Sequence, residues 1–389
     1  MKSLGVVGTS RYVLTAYQGT LVAATRNQFI NFDNENVIMF DGQSGVIDTA
    51  VVRDNQFRNI GGSVYHDHST IYTDAIRNIV SGNTAYAGVI TASNAICCYE
   101  IHGCYTDVHD NFCANYEVPG NLCSSYWATD GPGSFYHWHH NQSVNCAQGL
   151  NIVPLVNMTD VLVEHNIWSI NPANWPNGYQ GRGYFHPAVA LQAYTPKGAI
   201  QRLRIENNIA GWTTTQYATN GDQFLLWNRR SVNYTALTDS DVTVRGNTIC
   251  NCPSSAVSAL NFHALARWDV SDNDFYNLAC GGFSPDGPES QSGVVLADGN
   301  SITDFGFNRN RFYNDQSAPN QDALFSLMTL VAGDPGSPNP TTTDVEVLDN
   351  EVRLDSPVPV PLAHTLAGQS VRFEGPCRPS RRTHRRWHG

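Results

Sequence analysis

The sequence predicts an all-β solenoid, with short strands wound into about ten or more coils that stack in parallel. Three observations carry that prediction. A phrase of two alternating apolar residues, an asparagine, a further apolar residue and often a second asparagine returns ten times along the chain. Its anchor asparagines stand 25 to 42 residues apart, the range of solenoid repeats. Helical patterning is nearly absent, and Gly, Asn, Ser and Thr punctuate the chain every few residues.

The clearest copies are anchored at Asn55, Asn111, Asn247, Asn273 and Asn310, with weaker ones at Asn83, Asn141, Asn166, Asn208 and Asn350. Ahead of each anchor the apolar residues alternate, as at Val242 and Val244 or Val345 and Val347, so one face of a short strand points inward. The anchor itself is expected to form the bend, because Asn tolerates the left-handed conformation of a tight corner. Past the corner the alternation resumes for a few residues, as at Phe57, Cys113 and Phe275. One coil therefore holds two or three short strands, and the stacked anchors are expected to form a ladder of side-chain amides.

From Asn34 to Val352 this pattern resembles the right-handed parallel β-helix, the pectate-lyase-like architecture. The resemblance implies a single-stranded β-helix over residues 1–360, followed by an extension, 361–389, that ends in an Arg-rich tail. A Greek-key sandwich would also be all-β, but sandwiches do not repeat one phrase at nearly fixed spacing. The architecture carries lyases, hydrolases, epimerases, viral spikes and adhesins, so it narrows function without fixing it.

At 389 residues the chain can bury a large core without splitting into domains. Lys2 and Lys197 are the only lysines, so cationic chemistry falls to Arg or His. The net charge of −11 argues against nucleic acid and against long-range attraction of a polyanion, though a local basic subsite is compatible with it. Arg381, Arg382, Arg385 and Arg386 run against that trend in a stretch without strand pattern. No apolar run reaches transmembrane length, so no membrane association is expected. The start, Met1 to Ala24, lacks the shape of a signal peptide and already reads as strand, with little room for a cap. The expectation is a fragment, or a cap from a partner subunit, in an extracellular or virion-associated protein.

Of the ten cysteines, Cys113 occupies the apolar slot held by Phe57 and Phe275 in other coils, which reads as a small buried hydrophobe. Cys97, Cys98, Cys104, Cys123 and Cys146 fall on adjacent coils, which leaves room for one or two disulfides of unassigned pairing. Zinc on these thiols is not expected, since Cys97 and Cys98 lack a spacer and no CxxC occurs. Acceptor triplets at Asn141, Asn157 and Asn233 read as chance in an Asn-rich chain.

Counting back from the anchors aligns the strand ahead of each corner. Tyr99 and Ile101 are its natural inward residues, which turns Glu100 and His102 outward. The same offsets give Tyr72 and Asp74 in the coil before, and Asp130 follows Glu100 in the coil after. Adjacent parallel strands lie about 4.8 Å apart, so Glu100 and Asp130 are the candidate carboxylate pair of a glycosidase, with His102 as general base or acid. His66 and His68 are candidates for substrate or metal contact. In the run Tyr136 to His140, one or two members must point inward to continue the strand. The longest coils, Asn166 to Asn247, are expected to carry loops with Trp175, Tyr179, Trp212 and Tyr217. Arg182, His186, Trp227 and Arg229 lie there too and are the candidate sugar-binding residues.

The clustered Asp and Arg base of pectate lyases are not matched, nor are the motifs of polygalacturonases, nor the Lys–Arg pair of alginate and chondroitin lyases. Calcium is therefore compatible with the chain but not required by it. The leading expectation is a polysaccharide-active enzyme, lyase or hydrolase, with Glu100, His102 and Asp130 moving protons. In a lyase, His102 or Tyr72 would take the proton beside a uronate carboxylate held by Arg182 or Arg229. The alternative is a non-catalytic glycan-binding spike or rod, monomeric or trimeric.

Overall fold

The computed structural model describes residues 12–33, 35–42, 46–61, 67–88, 95–124, 133–171, 187–192, 198–213, 226–229, 238–251, 257–260, 264–276, 295–299, 301–314, 328–332, 341–354, 363–365 and 371–374. Among them every element is a strand, and every pairing is parallel, each strand bonding to its counterpart one coil away. A coil has three faces. In one example Val118–Ser124 lies on the first, Gly133–His139 on the second and Gln142–Cys146 on the third. The third faces form an 11-stranded sheet, while the first and second belong to a 22-stranded one. Those two are fused because Asp67–Ser81 and Ala95–His109 run through both without a break. The chain is thus a parallel β-helix solenoid. Two strands beyond residue 360, Ala363–Thr365 and Val371–Glu374, pair with the coil before them and carry the stack to Glu374.

The inward residues follow from the period of two. Three residues before successive anchors stand Val52, Val80, Val108, Trp138, Val163, Ile205, Val244, Val270 and Phe307, all buried in one core. Two residues after the anchor, Phe29 stacks on Phe57 at 5.0 Å and Phe275 on Phe312 at 4.9 Å. Each such pair contributes about 0.5–1.5 kcal/mol beyond its buried area. Cys113, in the same slot, is 2% exposed and joins this core, as expected. Trp212 is also a core residue rather than a loop ring, because Ile209–Trp212 is a third-face strand. The seven described cysteines are free thiols, so the disulfides left open by the sequence are not formed among them.

The amide ladder is present, and Asn27 adds a rung ahead of those read from sequence. A representative rung is Asn247. Its backbone N–H and Nδ2 both donate to Asn273 Oδ1 at 2.9 Å, and Nδ2 also donates to the Ile205 carbonyl at 2.9 Å. Its own Oδ1 accepts from the N–H and Nδ2 of Asn208, each at 3.0 Å. The amide is thus satisfied within a buried corner, where an orphaned polar group would cost about 1–3 kcal/mol. The bend itself falls one residue earlier than expected. Positive φ belongs to the residue before each anchor (Asp54, Gly82, Asp110, His140, His165, Asn207, Gly246 and Asp272 among them), not to the anchor. The reason is geometric, since an anchor must aim both its N–H and its side chain along the stack. The second asparagine of the phrase is the left-handed one, with φ between 53° and 63° at Asn59, Asn115, Asn145 and Asn251.

Candidate functional site

On the first face, Tyr72 pairs with Glu100 and Asp74 with His102, as the anchor offsets predict. Tyr99 and Ile101 point into the core between them. His102 Nε2 lies 3.1 Å from Glu100 Oε1, Ser69 Oγ bonds the other carboxylate oxygen, and the Tyr72 and His102 rings are 5.1 Å apart. The next coil places Asn121 beside Glu100 and Cys123 beside His102. Asn121 therefore occupies the column position expected for Asp130, which lies outside the described residues. The counting fails there because Val118–Ser124 and Gly133–His139 no longer run on from one another, whereas Asp67–Ser81 and Ala95–His109 are each one strand.

This cluster faces away from the core yet is enclosed. His102 and Asp74 are 2% and 0% exposed, His68 is buried beside them, and only Glu100, at 15%, and Tyr72 reach the surface. Burial alone would raise the Glu100 pKa, but the His102 hydrogen bond and charge, with the Ser69 hydroxyl and His68, hold it below the usual carboxylate range. Burial opposes the His102 imidazolium, and Cys123, Tyr72 and Glu100 outweigh it, so its pKa rises well above the ordinary value. Burial pushes the Cys123 thiol up, against the pull of His102. Burial likewise raises the Tyr72 phenol, with His102 opposing. The raised His102 value favours its imidazolium, the raised Tyr72 value its neutral phenol and the lowered Glu100 value its carboxylate.

His66, Arg182 and His186 lie outside the described residues, as do Trp175, Tyr179 and Tyr217. Trp227 and Arg229 belong to the first-face strand Leu226–Arg229, but their side chains lie outside the description.

The second face carries an open groove that the sequence reading missed. One outward column lies six residues before each anchor: Arg77, Tyr105, Phe135, Asp160, Arg202, Asp241, Arg267 and Asp304. Arg77 sits over the Tyr105 ring at 5.8 Å, and Tyr105 stacks on Phe135 at 5.8 Å with 10° between planes. Beyond the rings the column alternates in charge. Arg202 forks Asp160 at 2.6 and 2.8 Å, and Arg267 forks Asp241 at 2.5 and 2.8 Å. A cavity of about 730 Å³ opens here, bordered by Phe135, His137, Asp160, Leu162, Arg202 and Arg204. Phe135 is 62% exposed and has φ 66°, a conformation unfavourable for a bulky residue. The same left-handed position in later coils is taken by Asp160, Arg202, Asp241, Arg267, Asp304 and Asp344, all charged. The constant offset of six from the anchor was the signal available in the sequence.

Two residues along, the same face presents histidines. Tyr136 and Trp138 point inward, which turns His137 and His139 outward. They pair with Asp107 and His109 behind and with Leu162 and Glu164 ahead. His137 Nε2 is 2.9 Å from Glu164 Oε1, and His139 Nε2 is 3.0 Å from Asp107 Oδ1. The His137 and His139 rings stack at 3.8 Å. Burial, then the neighbouring His137, lowers the His139 pKa against the pull of Asp107, which favours a neutral imidazole.

Among the described residues no helix is long and apolar enough to cross a membrane. Comparison with protein-family models, curated proteins and solved structures finds no match.

Proposed function

We propose that this protein binds a polysaccharide along the second-face groove. The observation that carries the reading is the Tyr105–Phe135 ring platform, exposed at a backbone position that is strained for phenylalanine. An exposed ring kept against both solvent and backbone preference marks a place where function outweighs local stability. Aromatic faces stack on the apolar faces of pyranose rings, and the Arg–carboxylate forks beside them offer donors and acceptors to hydroxyl groups. Because these Arg charges are already matched by Asp160 and Asp241, the groove favours a neutral glycan over a uronate polymer. The overall charge of −11 points the same way. Affinity electrophoresis against neutral and uronate-rich polysaccharides tests this. Retardation by a neutral glycan is expected, lost in a Tyr105→Ala, Phe135→Ala double variant. Retardation equal in wild type and variant, or by none of a broad panel, would overturn it.

A second reading, cleavage of the glycan at the first face, is favoured by the convergence of Glu100, His102 and Tyr72. With Glu100 as base or nucleophile and His102 as acid, the chemistry would be hydrolysis. New reducing ends, lost in Glu100→Gln, are its signature; unsaturated ends would contradict it.

A further inference from the structure

The histidine array contains a set of donors suited to a metal. We propose that Asp107, His137 and His139 bind a divalent transition-metal ion of the zinc, nickel or copper class, with Glu164 as a neighbouring fourth oxygen donor. Their ligand atoms all lie within 4.8 Å of one another. In a tetrahedral zinc site, with metal–nitrogen bonds near 2.0 Å, donor atoms are about 3.3 Å apart, so the most separated pair has at most about 1.5 Å to close by side-chain rotation. The backbone fixes the arrangement. His137 and His139 are two residues apart on one strand and share a face, while Asp107 stands opposite His137 on the strand behind. All three lie on strands locked by parallel pairing on both sides, which suits a preformed site.

The donor chemistry selects the metal class. Two imidazoles and a carboxylate suit zinc, nickel and copper, whereas calcium takes oxygen ligands alone. The side chains of Asp107, His137 and His139 are 47%, 36% and 18% exposed, so an ion can enter from solvent. Beside the three, His140 Nδ1 touches His139 Nδ1 at 2.9 Å, the kind of outer contact that orients a ligating imidazole. The site borders the glycan groove through His137, but its test needs no glycan, so the two proposals fail separately.

The test is calorimetric titration of the chelator-treated full chain with zinc chloride at pH 7.5, with cobalt(II) spectra alongside. One ion per chain is expected, with affinity weakened at least about tenfold in His137→Ala, His139→Ala and Asp107→Asn and unchanged in Glu346→Gln. Circular dichroism checks that each variant is folded, and the half-exposed Asp107→Asn serves if a histidine variant is not. The cobalt spectrum should lack a thiolate charge-transfer band, which separates this site from the free cysteines. No zinc uptake, uptake untouched by all three substitutions, or a thiolate band would overturn the proposal.

Discussion

Removing one rung of the amide ladder tests the energetic basis of the fold. In Asn247→Ala four hydrogen bonds disappear, two donated by Nδ2 and two accepted by Oδ1. Asn273 Oδ1 keeps the backbone N–H of residue 247, and Asn208 Nδ2 keeps the Val163 carbonyl. The Asn208 N–H and the Ile205 carbonyl lose these partners at a corner where Asn247 and Asn273 are 0% and Asn208 1% exposed. At about 1–3 kcal/mol for a buried orphan donor, plus the space left by the amide, the expected loss is about 2–4 kcal/mol. Asn247→Asp separates acceptor from donor. It keeps an oxygen for Asn208 but sets a carboxylate against Asn273 Oδ1 and the Ile205 carbonyl, so it should be worse than Ala at pH 7 and recover on acidification. The control is Asn59→Gly, which removes the exposed hydrogen bond from Asn59 Nδ2 to Asn31 Oδ1 while tolerating φ 53°, and should cost less than about 1 kcal/mol. Urea unfolding followed by far-UV circular dichroism measures all three. An Asn247→Ala protein within about 0.5 kcal/mol of wild type would refute the reasoning.

Phe135→Asn should raise stability by about 1 kcal/mol, because Asn accepts φ 66°, while weakening glycan binding; loss of both would mean the ring is structural. Phe275→Ala removes a fully buried ring stacked on Phe312 and should cost about 3–5 kcal/mol in the same urea assay. The Glu100–His102 pair makes stability depend on pH at both ends. The depressed Glu100 stabilises above its ordinary value of 4.5 and loses that contribution as pH falls through its folded value. The raised His102 stabilises fully below 6.5 and loses its contribution as pH rises through its higher folded value. Both are therefore present between 4.5 and 6.5, and Glu100→Gln should flatten the acid limb of the stability–pH profile. An unchanged acid limb in that variant would remove the pair from the account.

How much was legible depended on distance from the anchor. The second-face strand runs directly into the corner, so every column within about six residues of an anchor is fixed, and the core residues at Val108, Trp138 and Val244 follow from it. The first face was legible only where one strand spans both faces. That is why the Tyr72–Glu100 and Asp74–His102 columns follow from the offsets, whereas, one coil on, the position beside Glu100 is held by Asn121. Enclosure of His102 could not be read, since alternation reports direction from the core and not what lies outside it. The Tyr105–Phe135 platform was missed for a different reason. Its members look like ordinary strand residues until the left-handed backbone at Phe135 shows that its ring points to solvent.

The central claim, that glycan lies on the second face, is tested most directly by hydroxyl-radical footprinting with and without the retained polysaccharide. Tyr105 and Phe135, 42% and 62% exposed, should be oxidised in the free protein and protected in the complex, with Tyr72 unchanged. Protection of Tyr72 with Tyr105 and Phe135 still oxidised would place the glycan on the first face and contradict the account.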